Sequence, residues 1–134
     1  MNNDERVRVK DVMTSNYQLV DGLMMSDQGL EKIKKTGAKV LIVDKRDDND
    51  EYGIVLLSDI AREVLAVDRA PERVNIYEIM SKPVVSVDPN MDIRYCARLF
   101  SKLGFSYAPV IDRGKLLGIV GYADMLLEGL CNKC

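Results

Sequence analysis

Few side chains in this sequence are suited to covalent or metal chemistry. The chain has no histidine, which excludes imidazole base catalysis, Ser-His-Asp and Cys-His triads, and histidine-containing zinc sites. Cys131 and Cys134 form a C-x-x-C at the end of the sequence, a spacing that suits a redox pair or two ligands of a metal. Two thiolates do not complete a metal site, so we expect a frayed tail with two free thiols.

Two aspartates in equivalent surroundings are the best remaining candidates for a functional site. Asp59 and Asp124 each follow a Gly-Ile-Val run and lie where a strand is predicted to give way to a helix. A carboxylate at a helix start commonly caps free backbone N–H groups, and the same helix end attracts a nearby anion. No nucleophile, base and orienting group can be assembled beside them. The sequence thus predicts no catalytic residue, no metal site, no required cofactor and no enzymatic activity.

Composition limits the kinds of protein that could carry these aspartates. A chain of 134 residues with 47% hydrophobic and 30% charged residues is typical of a compact globular protein. Its net charge of −2 does not favour nucleic-acid binding. The charged start of the sequence does not resemble a signal peptide, and no apolar run approaches the length of a membrane span. Together with the odd number of cysteines, these features predict a cytoplasmic protein.

The sequence is an internal duplication, and this organisation positions the aspartates. Lys10-Asp11-Val12-Met13-Thr14 matches Tyr77-Glu78-Ile79-Met80-Ser81, and Val40 to Asp44 matches Ala108 to Asp112. The third match aligns Gly53 to Asp59 with Gly118 to Asp124. We place the first copy at residues 8–66, a polar linker at 67–76, the second copy at 77–130 and the cysteine tail at 131–134.

Each copy is predicted to fold as βαββα, in an α+β class. Gly37 and Gly104 each end a segment with apolar residues at helical spacing, so we predict that they stop the first helix of each copy. Closing helices are predicted to begin at Ser58-Asp59 and Ala123-Asp124. The predicted strands are Tyr17 to Val20, Val40 to Val43 and Gly53 to Leu57 in the first copy, and Val84 to Val87, Pro109 to Ile111 and Leu116 to Val120 in the second. One copy is too small to bury both faces of its sheet, so we expect the two copies to pack about a pseudo-twofold axis with a cleft between them.

The three strings, repeated in order, resemble the tandem cystathionine-β-synthase (CBS) domain pair over about residues 8 to 130. This resemblance implies two clefts that bind AMP, ATP, NAD or a similar adenosyl ligand, with Asp59 and Asp124 as ribose ligands. A carboxylate there can accept both ribose hydroxyls, although helix capping alone would also explain each aspartate. Leu56 and Gly121 stand where the family usually has a hydroxyl residue, which weakens the case for a nucleotide in both copies.

The resemblance also implies which other residues line each cleft. Because Gly121 leaves more room than Leu56, we favour the cleft that contains Asp124. Lys39 is the candidate phosphate cation there, unless it is simply a solvated lysine. The Asp124 cleft would also use Thr14, Tyr17, Gln18, Gly37, Ile119 and Gly121. The Asp59 cleft would use Ile54, Ser58, Ser81, Lys82, Pro83 and Phe105.

Two kinds of function agree with these residues. The first is a regulatory module that senses an adenine nucleotide and signals to an effector protein on another chain, as a homodimer formed through exposed apolar positions of the closing helices. The alternative is a dimerising scaffold without a ligand, or a module whose terminal cysteines respond to redox state or zinc. Neither interpretation involves nucleic acid or a membrane span.

Overall fold

The computed structural model describes residues 6–82 and 84–131, which divide between two compact units. The first unit is Asn16–Val84, and the second joins Met1–Ser15 to Val85–Cys134. The helices are α1 (Val9–Val12), α2 (Ser26–Thr36), α3 (Leu57–Ile60) and α4 (Ile93–Leu103). The strands are β1 (Tyr17–Val20), β2 (Val40–Val43), β3 (Gly53–Leu56), β4 (Tyr107–Asp112) and β5 (Lys115–Gly121). Two π-helical segments, Ala61–Leu65 and Asp124–Leu130, and two 3-10 turns, Pro71–Arg73 and Ile76–Glu78, complete the elements of the described residues.

The first unit is built on the sheet β1-β2-β3, in which β1 and β2 are parallel and β2 and β3 antiparallel. Helix α2 ends at Gly37, whose φ of 74° is the left-handed conformation that glycine adopts without strain. The closing helix of this unit is α3 continued by Ala61–Leu65. One face of the sheet packs on these helices through a buried apolar cluster that includes Leu41, Val55 and Ile76.

The second unit is built on the antiparallel hairpin of β4 and β5, covered by α4 and the π-helical segment Asp124–Leu130. Its core includes Val9 of α1, Cys96 and Phe100, all fully buried. Gly104 ends α4 in the left-handed conformation, with φ 73°. The mixed α+β class and the two glycine helix stops are therefore confirmed.

The predicted strand Val84 to Val87 is wrong, because only Val87 makes a bridge, to Val110. Val87 donates its N–H to the carbonyl of Pro109 and accepts the N–H of Ile111. The next bond of a parallel ladder would need an N–H from Pro109, which proline lacks. Pairing therefore stops after one residue.

The short segments that open each copy lie in the unit of the other copy. In the second unit, the N–H of Val9 donates to Met91 O at 2.8 Å. In the first unit, residues 76–82, which we name the second entry segment, begin with the N–H of Ile76 donating to Met24 O at 2.8 Å. The compact units thus differ from the predicted stretches 8–66 and 77–130, which describe the sequence repeat.

The helices of the described residues are short. Both α2 and α4 have 11 residues, whereas a helix needs roughly 20 apolar residues to cross a bilayer. Within the described ranges, none of the helices could span a membrane.

Candidate functional site

Asp124 lies at the junction between β5 and the π-helical segment that follows it. Its Oδ2 accepts the N–H of Gly121 at 2.8 Å, so the carboxylate reaches back and caps the last residue of the strand. This bond fixes the orientation of the side chain. The carboxylate therefore occupies one defined position at the end of β5, where it could also receive a hydroxyl donor.

The Tyr107 ring lies against Gly121. The two residues are partners in the β4–β5 ladder, and a Cβ added at Gly121 would lie 2.5 Å from Tyr107 Cε1. Only glycine can occupy this position without displacing the ring. Tyr107 is half-buried, and sequence analysis missed it because the only available signal was its place in the ladder opposite Gly121.

Thr14 and Ile119 are also part of this group. The N–H of Thr14 donates to Ile119 O, and the N–H of Ile119 donates to Thr14 O, both at 2.9 Å. A Cβ at Gly118 would lie 2.7 Å from Thr14 O, so the glycine permits this close approach. The second unit thus brings together Thr14, Ile119, Gly121 and Asp124.

The other four residues predicted for the Asp124 cleft lie in the first unit, at the amino-terminal ends of β1 and β2. Tyr17 pairs with Val40, and the exposed Lys39 donates its N–H to Asn16 O at 2.7 Å. Gln18 follows Tyr17 in β1, while Gly37 precedes β2 as the cap of α2. These four residues share one end of the sheet.

Asp59 repeats the capping arrangement of Asp124 and also pairs with an arginine. Its Oδ2 accepts the N–H of Leu56 at 2.7 Å, and its Oδ1 accepts Arg62 Nη2 at 2.8 Å. The Asp59 side chain is 11% exposed and that of Arg62 is 63% exposed. The residue that aligns with Arg62 in the second copy is Leu127, which has no donor. Arg62 is therefore a functional candidate that the repeat alignment could have found.

The remaining residues predicted for the Asp59 cleft divide between the two units, apart from Pro83. Ile54 and Ser81 exchange backbone hydrogen bonds of 3.1 and 3.0 Å, and Ser58 is exposed at the start of α3. Phe105 lies in the second unit and packs edge-on against Phe100, with ring centroids 6.1 Å apart. Pro83 lies outside the described residues.

Lys82 is placed with Asp50 rather than with an aspartate of the repeat motif. Its ammonium forms a salt bridge with Asp50 Oδ1, and the N–H of Arg46 donates to Asp50 Oδ2 at 2.8 Å. The Lys82 ammonium first, and the Arg46 backbone N–H second, hold the pKa of Asp50 well below its usual range. Lys82, Arg46 and Asp50 thus form one charged cluster beside the β2–β3 hairpin.

The cysteines differ in their surroundings. Cys131 is disulfide-bonded, so the expectation of a free thiol there is wrong, and Cys134 lies outside the described residues. Cys96 is a free, fully buried thiol, and burial raises its pKa to about 11. A thiol in this environment is unreactive at neutral pH because the thiolate is the reactive form.

Comparison with known proteins identifies the repeat. The CBS domain family model matches residues 76–130. A hexameric CBS-CP12 protein from bloom-forming cyanobacteria is 34% identical to this chain, with a TM-score of 0.89, over 95% of this chain and 73% of that one. A CBS domain pair solved with 5′-methylthioadenosine and S-adenosyl-L-methionine is 23% identical, with a TM-score of 0.77, over 91% of this chain and 98% of that chain.

Curated relatives agree with this match. The CBS domain-containing protein YhcV of Bacillus subtilis is 25% identical over 93% of this chain and 87% of its own length. An uncharacterised protein of Methanopyrus kandleri is 32% identical over 71% of this chain, which covers 48% of that relative. The chain thus spans about half the length or less of the first curated relatives that it matches.

Proposed function

This chain belongs to the CBS-domain family, and we propose that it is a regulatory module that binds an adenosine-containing ligand and transmits its presence to a partner protein. The expected ligands are AMP, ATP and NAD, as well as the S-adenosyl compounds bound by one protein of the same fold. A module of this kind performs no chemistry. Its ligand would act by favouring one packing arrangement of the protein over another.

The observation that carries the proposal is the fixed carboxylate of Asp124. The bond from the Gly121 N–H holds one of its oxygens at 2.8 Å and orients the carboxylate without removing its ability to accept ribose hydroxyls, because each oxygen has two lone pairs. Thr14 of the opening segment reaches the same strand through Ile119. The neighbouring helix start favours a phosphate.

We propose the Asp124 site as the functional one of the two. Asp59 shares its Oδ1 with the Arg62 guanidinium, and Leu56 adds bulk at the start of that helix. A nucleotide would have to displace or accommodate an arginine at Asp59, and Gly121 leaves more room beside Asp124 than Leu56 leaves beside Asp59. Tyr17, Gln18, Gly37 and Lys39 remain predicted ligand-binding residues, with Lys39 as the predicted phosphate cation.

Isothermal titration of the protein with AMP, ADP, ATP, NAD and S-adenosylmethionine tests this function. We expect saturable binding of at least one compound, and only weak residual binding, at the Asp59 site, in Asp124→Ala and Asp124→Asn. The matched control is Asp59→Asn, which changes the equivalent carboxylate of the other repeat and should leave the binding at Asp124 in place. Binding of none of the five compounds would refute the proposal.

We also propose that the module is a homodimer. Leu126, Leu127 and Leu130 of the second closing helix are 50%, 64% and 63% exposed, and Leu65 of the first is 78% exposed. Large apolar side chains that are this exposed on a helix favour a protein interface. Sedimentation analysis of the wild type and of Leu127→Glu would show a dimer that dissociates in the variant, and a monomeric wild type would contradict it.

A scaffold without a ligand is the second candidate function. Leu56 and Gly121 replace the expected hydroxyl residues, and the disulfide of Cys131 favours a response to redox state. This alternative predicts an assembly that changes on reduction and is indifferent to nucleotides. Sedimentation with and without dithiothreitol, repeated with ATP, separates it from the leading proposal.

A further inference from the structure

The first unit contains a cavity of about 790 Å³ at the end of its sheet. Val20 and Val43, the last residues of β1 and β2, are among its lining residues. Because β2 and β3 are antiparallel, Val43 pairs with Gly53 while Val40 pairs with Leu56, the cap partner of Asp59. The cavity and Asp59 are therefore at opposite ends of β2, separated by about 10 Å of strand. Its volume is in the usual range for small-molecule sites.

Two carboxylates line the side of the cavity nearest β1 and β2, where Lys45 is also a lining residue. Asp21 and Asp44 directly follow these parallel strands, and Val20 pairs with Val43 in register. Val20 and Val43 are therefore about 5 Å apart, one strand spacing, and each is followed directly by one of the two aspartates. One oxygen of each carboxylate accepts a backbone N–H at 2.8 Å, which fixes the pair in position. Both residues are exposed, so the two negative charges face the solvent of the cavity.

The lining residues Arg46 and Lys82 are basic and lie towards β3. Arg46 Nε lies 3.2 Å from Asp50 Oδ2, and the Lys82 ammonium pairs with Asp50 Oδ1. Two cations thus share one carboxylate, which leaves a net positive charge. Asp50 is 9% exposed and Lys82 is 21% exposed, so the lysine is held against the wall while the guanidinium extends into solvent.

The second entry segment runs from one charged side of the cavity to the other and contributes to an apolar wall. Its start lies beside β1, where the N–H of Tyr77 donates to Gly22 O at 3.0 Å. Its end lies beside β3, where Ser81 bridges Ile54. Tyr77, Leu19 and Leu23 are 49%, 44% and 71% exposed around the cavity. The segment therefore crosses the end of the sheet from the side of the two aspartates to that of Arg46 and Lys82.

We propose that this cavity binds a zwitterionic small molecule, with its ammonium group against Asp21 and Asp44, its acidic group against Lys82 and Arg46, and an apolar body between them. A simple anion would meet the acidic pair, and a simple cation would meet Arg46 and Lys82. Only a ligand with both charges has a partner at each end. Lys82, which the sequence analysis assigned to the Asp59 cleft, pairs with Asp50 beside this cavity instead. None of the charges of this site belongs to the aspartate motif of either repeat.

Three matched probes test the inference: 6-aminohexanoate, hexanoate and hexylammonium. They share an aliphatic body and differ in which charges they carry. Isothermal titration, together with backbone NMR shifts, should show saturable binding of 6-aminohexanoate with shifts at Asp21, Asp44 and Lys82. Each of the other two probes should bind about tenfold or more weakly, since each loses one charged hydrogen-bonding end.

Two variants locate the binding. Asp44→Asn keeps the shape and the turn-capping oxygen, and Lys82→Gln removes the cation. Each should weaken 6-aminohexanoate by about fivefold to tenfold. Asp44→Asn should leave hexanoate nearly unaffected, and Lys82→Gln should leave hexylammonium nearly unaffected. Lys34→Gln, an exposed lysine of α2, is the control. The inference is overturned if 6-aminohexanoate does not saturate, if hexanoate or hexylammonium binds as tightly, or if Lys34→Gln has the same effect as Lys82→Gln.

Discussion

Replacement of Arg62 with leucine probes how strongly the ion pair restrains Asp59. The substitution copies Leu127 of the second repeat, and leucine and arginine have similar helix propensities, so the helix itself should persist. The substitution removes the 2.8 Å bond from Arg62 Nη2 to Asp59 Oδ1 and a longer contact of 3.4 Å from Arg62 Nε to Glu63 Oε1. The Arg62 side chain is 63% exposed. Exposed pairs contribute about 0.2 to 1 kcal/mol. We expect a decrease of that size in the free energy of unfolding, measured by urea titration.

The same change should increase ligand affinity at the Asp59 site, because a nucleotide no longer competes with Arg62. The corresponding factor is about 1.5 to 5. The test compares nucleotide titrations of the single variant Asp124→Asn with those of the double variant Asp124→Asn/Arg62→Leu. Both variants lack the second carboxylate, so the difference between them reports on the Asp59 site. Weaker binding in the double variant would refute the reasoning and make Arg62 a phosphate ligand. A loss of stability without any change in affinity would show that the pair serves folding alone.

Three further predictions concern folding. Asp92 caps α4 by accepting the N–H of Arg94 at 2.9 Å, so Asp92→Ala should lower the free energy of unfolding by about 1 kcal/mol. The Arg94 guanidinium first, and its backbone N–H second, lower the pKa of Asp92 from 3.8 to about 2. The carboxylate therefore stabilises the fold fully above about pH 4 and loses this effect as the pH falls through 2. In urea titrations at pH 7, 4 and 2.5, the free energy of unfolding should depend less on acid in Asp92→Ala than in the wild type. An equal dependence would contradict the assignment. Gly121→Ala should lower the free energy of unfolding by about 1 to 3 kcal/mol, because the new methyl group meets the Tyr107 ring. In a Tyr107→Ala background the same change should lower it much less. An equal decrease in both backgrounds would place the strain elsewhere. Cys96 should react with a disulfide reagent such as DTNB only as fast as the protein unfolds, since its thiol is buried with a pKa of about 11, and rapid labelling of the native protein would disprove its burial.

The repeat predicted much of the fold because its matched strings cover elements whose structure is local. Strand β1 has the predicted bounds, and Gly37 and Gly104 end their helices as expected. Glycine at a left-handed position is required by the backbone alone, so a single sequence contains the signal. The strand predicted at Val84 to Val87 failed because its partner would have been Pro109, and partner choice is a tertiary property.

The candidate site was less predictable because its geometry depends on contacts between distant segments. Alignment located Asp59 and Asp124, but not the Tyr107 ring over Gly121 or the pairing of Lys82 with Asp50. Lys82 adjoins a matched string, yet its side chain turns to a hairpin carboxylate that has no counterpart in the second copy. Sequence position indicates which segment a residue belongs to, whereas its charge partner is decided by packing.

Both aspartates of the repeat accept a backbone N–H from the residue that ends the preceding strand, at 2.7 Å for Leu56 and 2.8 Å for Gly121. Helix capping alone would thus favour an aspartate at both positions, even in a module that binds nothing. The presence of two aspartates is therefore weaker support for a ligand than the differences around them. Arg62 stands beside Asp59 where Leu127 stands in the second copy, and capping requires neither. If the two repeats differ in ligand affinity, the exchange of Arg62 for Leu127 is the expected cause. Ligand affinities of Arg62→Leu and Asp124→Asn, compared with each other, are therefore more informative than removal of either aspartate alone.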